Sequence, residues 1–411
     1  MEIDQETARK LLEDGGTFVF LGVPQETQFG IDMQCWNTDE DFRGIKMIPP
    51  GLHYIHYSAV SKSTNDISAR SGFMHYFGKK EFLVKIWDKN TEDISKDEIT
   101  DESLQRLKDN LLNLDRHLAP YPYEIWQKWK LLSSQIPSEL ASKLSPDCGI
   151  IRASVDYLSI TDAERPRGVK TQTSAENESA DSTADTSLKL DESDGSVAES
   201  SSKDPKRTKR LTRAEREQAM LPDLKPTPGT MIRFTEIPQD KYPPGSSPEE
   251  ITKHYLDQSY CLDIMIAQHD EPLHIIGELQ FAYICFLIGH SLDAFEHWRN
   301  LVILMCSCDD AIHKHKTVFF HFIKTLEIQI QEMPEDFLAD IVMNKNIVYK
   351  KLREFFRTAI MSKVDGRLLT LIEGFKENLT EKLQWDFTGL DADDEDDERP
   401  VIVKIDECGD N

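Results

Sequence analysis

Long apolar runs are absent from this chain of 411 residues. The longest, Phe281 to Ile288, is too short to cross a bilayer and stops at Gly289. The N-terminal residues are charged and contain no apolar stretch of the kind found in signal peptides. These absences predict a soluble, intracellular protein.

The chain has few cysteines, and its positively charged residues are outnumbered by the negatively charged ones. Seven cysteines, an odd number spread along the chain, do not form a disulfide framework. Reduced thiols suit the cytosol or the nucleus. The chain has 48 Lys and Arg residues and 73 Asp and Glu residues, so its formal net charge is −25. So acidic a chain repels phosphate backbones, which argues against direct nucleic-acid binding as the main activity.

Motifs for catalysis and cofactor binding are missing as well. The sequence has no dinucleotide fingerprint, no phosphate-binding P-loop and no HExxH zinc motif. His53 and His56 lie three apart in a predicted strand, which places them on opposite faces and argues against a shared metal. Cys306 and Cys308 form a CxC without a second pair. A Cys/His pair that meets only in space stays open, but without a nucleophile motif we expect no enzyme, cofactor, metal or small-molecule substrate.

The first 165 residues predict a mainly-β, sandwich-like domain with helices. Four stretches rich in aromatic and branched residues are bounded by Gly, Pro or Asn, as strands are; they cover residues 17–22, 51–58, 73–77 and 82–87. Gly78-Lys79-Lys80 predicts a hairpin turn between the last two. Leucines at spacings of three and four from Leu104 to Leu118 predict one helix that begins near Asp101. A second helix carries Trp126 and Trp129.

Residues 166–222 predict a disordered, charged linker. Lys170 to Ser202 contains no aromatic residue and cannot bury enough surface to fold. Two candidate phosphorylation sites, Ser182 and Ser196, fit a pattern that arises by chance in any acidic, Ser-rich tract. A basic run follows, formed by Lys206, Arg207, Lys209, Arg210 and Arg213. It acts either as a nuclear-import signal or as solvated charge that keeps the linker extended.

Residues 223–388 predict an all-helical domain. Ser247, Pro248 and Glu250 form a helix start with a capping box. Apolar periodicity then predicts successive helices at residues 274–288, 292–306, 311–330, 334–343, 347–361 and 364–383. Short connections imply antiparallel neighbours in a bundle or short solenoid. We expect each domain to enclose its own core, with Phe295 and Trp298 in that of the helical domain.

Residues 389–411 combine an acidic run, Asp391 to Glu398, with a strand-forming C-terminus. The strand residues are Val401, Ile402, Val403, Lys404 and Ile405. They could form an edge strand of the protein's own β domain or a strand reserved for the sheet edge of a partner. The acidic segment in front of them favours the partner.

Several sequence blocks resemble the Aar-two splicing-factor family, the a-one/alpha-two repressor homologues. The most specific is Phe42-Arg-Gly-Ile-Lys-Met-Ile-Pro-Pro-Gly-Leu-His-Tyr-Ile-His-Tyr-Ser58. Further blocks are Phe29 to Asp32, Trp36, Pro120 to Tyr123, Gly229 to Pro238, Glu250 to His254, Gly277 to Ala282, Ala294 to Trp298 and Trp385 to Phe387. The resemblance covers both domains and skips only the linker.

This resemblance implies a β-rich N-terminal domain, a helical C-terminal domain and a non-enzymatic assembly chaperone of the U5 small nuclear ribonucleoprotein in pre-mRNA splicing, present in cytoplasm and nucleus. The implied partner is Prp-eight, the large spliceosomal scaffold protein. The tail strand Val401 to Ile405 would add between its RNase H-like and Jab1/MPN-like domains. Gln384 departs from the basic residue expected before Trp385, and the linker is longer and more charged than is typical. A generic helical adaptor outside splicing is the alternative.

Overall fold

The structure, a computed structural model, describes residues 5–61, 64, 66–97, 99–158, 226–334, 347–362 and 364–390. The contacts between residues divide the chain into two units: residues 156–227 form the smaller one, and residues 1–155 and 228–411 form the larger one. The architecture below is that of the larger unit, which takes in both the N-terminal and the C-terminal parts of the chain.

Two five-stranded sheets form the N-terminal part. Their strands are β1 (Gly16–Leu21), β2 (Gln28–Ile31), β3 (Gln34–Asn37), β4 (Gly44–Ile48), β5 (Gly51–Ser58), β6 (Ser71–Phe77), β7 (Phe82–Asp88), β8 (Asp93–Ile94), β9 (Leu118–Pro120) and β10 (Ile151–Arg152). The first sheet has the order β8-β7-β1-β4-β9 and mixes parallel with antiparallel pairs. The second has the order β10-β6-β5-β2-β3 and is antiparallel.

An aromatic layer fills the space between the two sheets. Phe18 and Phe20 of the first sheet pack against Phe29 and Tyr57 of the second, and all four are at most 2% exposed. The ring centroids of Phe18 and Phe29 lie 6.0 Å apart, and those of Phe20 and Tyr57 lie 5.7 Å apart. Each such side chain contributes about 1.5–3 kcal/mol on burial. The predicted mainly-β, sandwich-like domain is confirmed.

The predicted hairpin at Gly78-Lys79-Lys80 is wrong, because the strands on either side belong to different sheets. β6 pairs with β5, whereas β7 pairs in parallel with β1 over five residue pairs, Thr17–Leu21 with Phe82–Ile86. The turn itself is tight: the Glu81 carboxylate accepts from the Gly78 N–H at 2.6 Å. A short turn therefore carries the chain from one sheet to the other.

The predicted leucine-rich helix is interrupted. Helix α2 (Asp101–Asp109) ends at Asn110, and a single turn, α3 (Leu111–Leu114), follows it. Leu118 is buried in strand β9 rather than on a helix. The other leucines of the stripe are only half-buried, so packing against the protein's own core does not hold one straight helix there.

Helices dominate the C-terminal part and connect the two parts. The remaining helices are α1 (Gln5–Asp14), α4 (Trp126–Ser133), α5 (Ser138–Leu144), α6 (Pro248–Leu256), α7 (Ser259–Ala267), α8 (His274–Leu287), α9 (Leu292–Cys306), α10 (Ala311–Lys314), α11 (Lys316–Glu332), α12 (Ile347–Met361) and α13 (Gly366–Leu383). The capping box of Ser247 and Glu250 is present at α6. No described helix is long and apolar enough to span a membrane. The predicted helix at 311–330 is broken at His315 into α10 and α11. The predicted helix at 334–343 lies almost wholly outside the described residues, and the all-helical prediction is otherwise confirmed.

Helix α8 is the centre of the helical part, since every residue from Ile275 to Phe286 is buried. A helix that is buried all round needs neighbours on every side. Helices α9 and α11 cover part of it, and α4 and α5 of the N-terminal part cover another. The main hydrophobic cluster accordingly joins Trp129 and Leu132 to Leu279 and Phe281. The sandwich has a core of its own, as expected, but the core of the helical part is shared with α4 and α5 of the N-terminal part.

Polar contacts fix this junction in register. The Gln280 side chain accepts from the Gln135 N–H at 2.7 Å and donates to the Leu131 carbonyl at 3.1 Å. The Trp129 indole donates to the Leu52 carbonyl of β5 at 2.6 Å. Because buried polar groups are costly when unpaired, the Gln280 bonds select one arrangement of the two parts, and the Trp129 bond holds α4 on the second sheet.

A glycine allows the closest approach at the junction. A Cβ at Gly277 would lie 2.1 Å from the Gln135 carbonyl oxygen and 2.5 Å from Leu140 Cδ2. Gly277→Ala should lower the free energy of unfolding by about 1–3 kcal/mol, because main chain must move to admit the methyl group.

The matched control is Gly374→Ala in α13, where an added Cβ meets nothing within 4 Å. It should raise the free energy of unfolding by up to about 1 kcal/mol through helix propensity. Denaturant titrations of both variants measure the difference. Equal effects of the two substitutions would contradict close packing at Gly277.

Candidate partner-binding surface

The residues predicted from the sequence to bind partners or signals lie outside the described part of the chain. These are the tail strand Val401, Ile402, Val403, Lys404 and Ile405, the basic run Lys206, Arg207, Lys209, Arg210 and Arg213, and the serines Ser182 and Ser196. They stay predictions. What the structure does show is the point from which the tail begins.

Residues 385–390 form a tail anchor on helix α12. Trp385, Phe387 and Leu390 are buried, at 2%, 6% and 8% exposure. The Trp385 ring centroid lies 5.5 Å from that of Tyr349, and the Phe387 centroid lies 5.0 Å from that of Phe356. Three apolar side chains are thus buried within six residues, and the rings of Trp385 and Phe387 attach the segment to α12.

Main-chain hydrogen bonds complete the tail anchor. Tyr349 Oη and Arg353 Nη1 both donate to the Asp386 carbonyl oxygen, the latter at 3.1 Å. Arg353 Nη2 lies 3.5 Å from the Gly389 carbonyl oxygen. Hydrogen bonds from Thr388, with a smaller contribution from Arg353, lower the pKa of Asp386. Tyr349 and Arg353 thus hold the last described residues in place.

Gln384, the departure noted in the sequence, ends helix α13. It has a left-handed backbone with φ of 55°, and its amide donates to the Glu381 carbonyl at 3.1 Å. The chain turns here from the helix into the tail anchor. Sequence reasoning missed Tyr349 and Arg353; the only signal was the apolar pair Trp385 and Phe387 just beyond the helix.

A second constellation is the buried carboxylate of Glu278 on α8. It accepts from the Thr235 N–H at 2.7 Å, the Thr235 hydroxyl at 2.7 Å, His297 Nε2 at 2.8 Å and His269 Nε2 at 3.2 Å. The His297 ring stacks on Phe234 at 4.1 Å. Burial raises the pKa of Glu278, but the histidine and threonine hydrogen bonds outweigh it and bring the pKa to about 2. This carboxylate pins the extended segment before α6 to the helical core.

Glu278 should make stability sensitive to acid. Its folded pKa lies below the ordinary 4.5, so its contribution is present above pH 4.5 and is lost as the pH falls toward 2. The shift corresponds to about 3 kcal/mol at neutral pH. Glu278→Gln should therefore lower stability at pH 7 and flatten the decline of the free energy of unfolding between pH 4.5 and 2.

Denaturant titrations across this pH range measure the effect. Glu249→Gln, at an exposed position of α6, serves as the control and should leave the pH profile unchanged. A Glu278→Gln profile that runs parallel to that of the unmodified protein would show that the carboxylate contributes nothing.

The third buried constellation surrounds Asp32, which turns the chain between β2 and β3 with φ of 54°. Its carboxylate accepts from the Tyr54 N–H at 2.9 Å, from His53 Nδ1 at 2.7 Å and from Tyr121 Oη at 2.6 Å. His53 Nε2 lies 2.7 Å from the Pro49 carbonyl oxygen. Both ring nitrogens of His53 therefore lie within hydrogen-bond distance of an oxygen atom. Asp32 and His53 are fully buried, so the pair ties the second sheet together out of reach of any substrate.

The thiols are placed as core residues. Burial raises the pKa of each buried thiol, namely Cys261, Cys285, Cys306 and Cys308. A raised pKa disfavours the thiolate, which is the nucleophilic form. Within the described ranges no three His, Cys, Asp or Glu side chains are grouped to hold a metal.

Both parts of the chain match known protein families. The AAR2 N-terminal domain family matches residues 14–146, and the AAR2 C-terminal repeat region matches residues 234–388. The human protein AAR2 homolog is 34% identical over 410 residues, which cover 99% of this chain and 98% of the human one. The Caenorhabditis elegans AAR2 homolog is 32% identical over 378 residues, or 92% and 96% of the two chains.

The chain is also similar to a fungal protein. The A1 cistron-splicing factor AAR2 of Saccharomyces cerevisiae is 22% identical over 400 residues, which cover 94% of this chain and 97% of the yeast one. These matches span the β sandwich, the helical part and the tail anchor, and they confirm the resemblance to the Aar-two family. The chain belongs to the AAR2 family.

Proposed function

We propose that this protein acts in pre-mRNA splicing, as a non-enzymatic assembly chaperone of the U5 small nuclear ribonucleoprotein. The observation that carries the proposal is the match over nearly its whole length to a family that includes a yeast splicing factor. The proposed partner is the large scaffold protein Prp-eight, through its RNase H-like and Jab1/MPN-like domains. Action in both cytoplasm and nucleus is part of the proposal.

The buried constellations support a binding role over a catalytic one. Asp32 and Glu278 have their carboxylate oxygens fully engaged by neighbouring donors, and the core thiols are held protonated by burial. Catalytic groups instead need access to a substrate and a pKa matched to their task. These groups serve the fold.

The tail anchor supports binding through the tail. It packs Phe387 on α12 and ends at the buried Leu390, so the acidic run and the strand-forming residues start from a defined point. A strand that adds to a partner's sheet obtains affinity from main-chain hydrogen bonds and register from its alternating side chains. A fixed starting point lowers the entropic cost of that addition.

Val403→Pro tests the proposal. Proline removes one main-chain donor and disrupts strand geometry in the middle of Val401 to Ile405. It should weaken binding to a purified scaffold fragment, with both domains present, at least about tenfold, or about 1.4 kcal/mol. Isothermal titration measures the affinity, and a thermal melt should show an unchanged Tm.

Val403→Ala is the matched control, because it shortens the side chain and keeps the N–H. It should lose less affinity than the proline variant. Normal binding by Val403→Pro, or a lowered Tm, would assign the strand to the protein's own fold and overturn the proposed binding mode.

A further inference from the structure

Helix α12 carries a basic stripe, defined as Lys350, Arg353 and Arg357. Spacings of three and four place these residues on one face. The remaining charges of the helix, Lys351 and Glu354, pair with each other. The stripe places three positively charged side chains on one face of a helix in a protein whose formal net charge is −25.

The tail anchor brings the chain to this stripe. Arg353 contacts the carbonyl oxygens of Asp386 and Gly389, and the next residue, Leu390, is buried. Seven of the next eight residues, 391–398, are acidic. The acidic run thus begins two residues after a carbonyl that Arg353 contacts.

The acidic run is long enough to lie along the stripe. Arg357 lies seven positions after Lys350 in the helix, which amounts to about 10 Å along the axis. Eight extended residues reach up to about 26–29 Å. The acidic run can therefore span the whole stripe without strain at the tail anchor.

We propose that the acidic run Asp391 to Glu398 docks on the basic stripe of α12 in the free protein. Each exposed ion pair is weak, but the run is tethered beside the stripe and so has a high effective concentration. Docking would keep the strand-forming residues close to the helical part until a partner competes for them. The inference goes beyond the proposed function and does not depend on the identity of the partner.

Zero-length carbodiimide coupling of the full-length protein tests this directly, because it joins a lysine amine only to a carboxylate in contact with it. A mixture of ¹⁵N-labelled and unlabelled chains separates coupling within one chain from coupling between chains. The expected product joins Lys350 to the acidic run within one chain. Its yield should fall at least about fivefold when salt rises from about 0.05 M to about 0.5 M.

Lysines elsewhere provide the internal comparison. Lys108 on α2 and Lys316 on α11 are also exposed and should couple to the run much less than Lys350. Equal coupling to all three, coupling between chains, or coupling mainly to Lys206 and Lys209 of the linker would overturn the proposal.

A charge variant gives a second, independent readout. Arg357→Gln should lower the Lys350 coupling yield about twofold or more, because it removes one charge of the stripe. Arg367→Gln, at an exposed position of α13, should leave the yield unchanged. An unchanged Lys350 yield in Arg357→Gln, with an unchanged thermal melt, would also overturn the proposal.

Discussion

Trp298→Ala should lower the free energy of unfolding by about 3–5 kcal/mol, through lost burial and the cavity left behind. Trp298 is 2% exposed in helix α9, and its indole donates to Gln329 Oε1 at 2.8 Å. Its ring centroid lies 6.0 Å from that of Tyr283 on the central helix α8. The substitution removes the ring and leaves a buried amide oxygen without its donor.

Denaturant titration measures the loss. Leu292→Ala is the matched control, since Leu292 lies on the same helix and is 71% exposed; it should change stability by no more than about 0.5 kcal/mol. A loss below about 1 kcal/mol for Trp298→Ala would mean that the α9 face is a surface and not core.

Asp32→Asn should lower the free energy of unfolding by about 2–3 kcal/mol, as expected when buried donors lose a carboxylate acceptor. Asparagine tolerates the left-handed backbone at this position, so the turn is preserved. The new amide nitrogen must face either the Tyr54 N–H or the donors of His53 and Tyr121. Burial and the neighbouring Asp32 raise the pKa of Tyr121, which keeps its hydroxyl a donor. One amide orientation sets the new N–H against the Tyr54 N–H, and the other takes the carboxylate acceptor away from His53 and Tyr121.

Asp39→Asn is the control for this substitution. Asp39 also accepts a main-chain N–H, from Asp41 at 2.9 Å, but it is exposed. It should change stability by no more than about 0.5 kcal/mol. If both variants unfold at the same denaturant concentration, the Asp32–His53 pair does not hold the sheet together.

Features with a local signature could be predicted from the sequence. The strands at 51–58 and 82–87, the capping box of Ser247 and the burial of Trp298 all follow from neighbouring residues and periodicity. The family could also be predicted, because the block from Phe42 to Ser58 is specific. Periodicity says which face of an element is buried and not what covers it.

Features that depend on distant partners could not be predicted. Nothing near Gly78 shows that β7 will pair with β1 in the first sheet and not with β6 in the second. Nothing in α4 or α5 shows that α8 will complete their packing. Asp32 and Glu278 look like solvated charges in the sequence, and only their partners from other segments make them structural. The tail strand Val401 to Ile405 stays a prediction, whereas the tail anchor that presents it could be found only from the structure.

The junction of α4 and α5 with α8 has a consequence for the connection between the two parts. Side-chain packing, and not the covalent chain through residues 159–225, holds the parts together. A peptide bond hydrolysed in that connection should give two polypeptides that migrate as one particle in gel filtration. Because the entropic cost of closing a loop grows only slowly with its length, insertions there should also lower the free energy of unfolding only slightly.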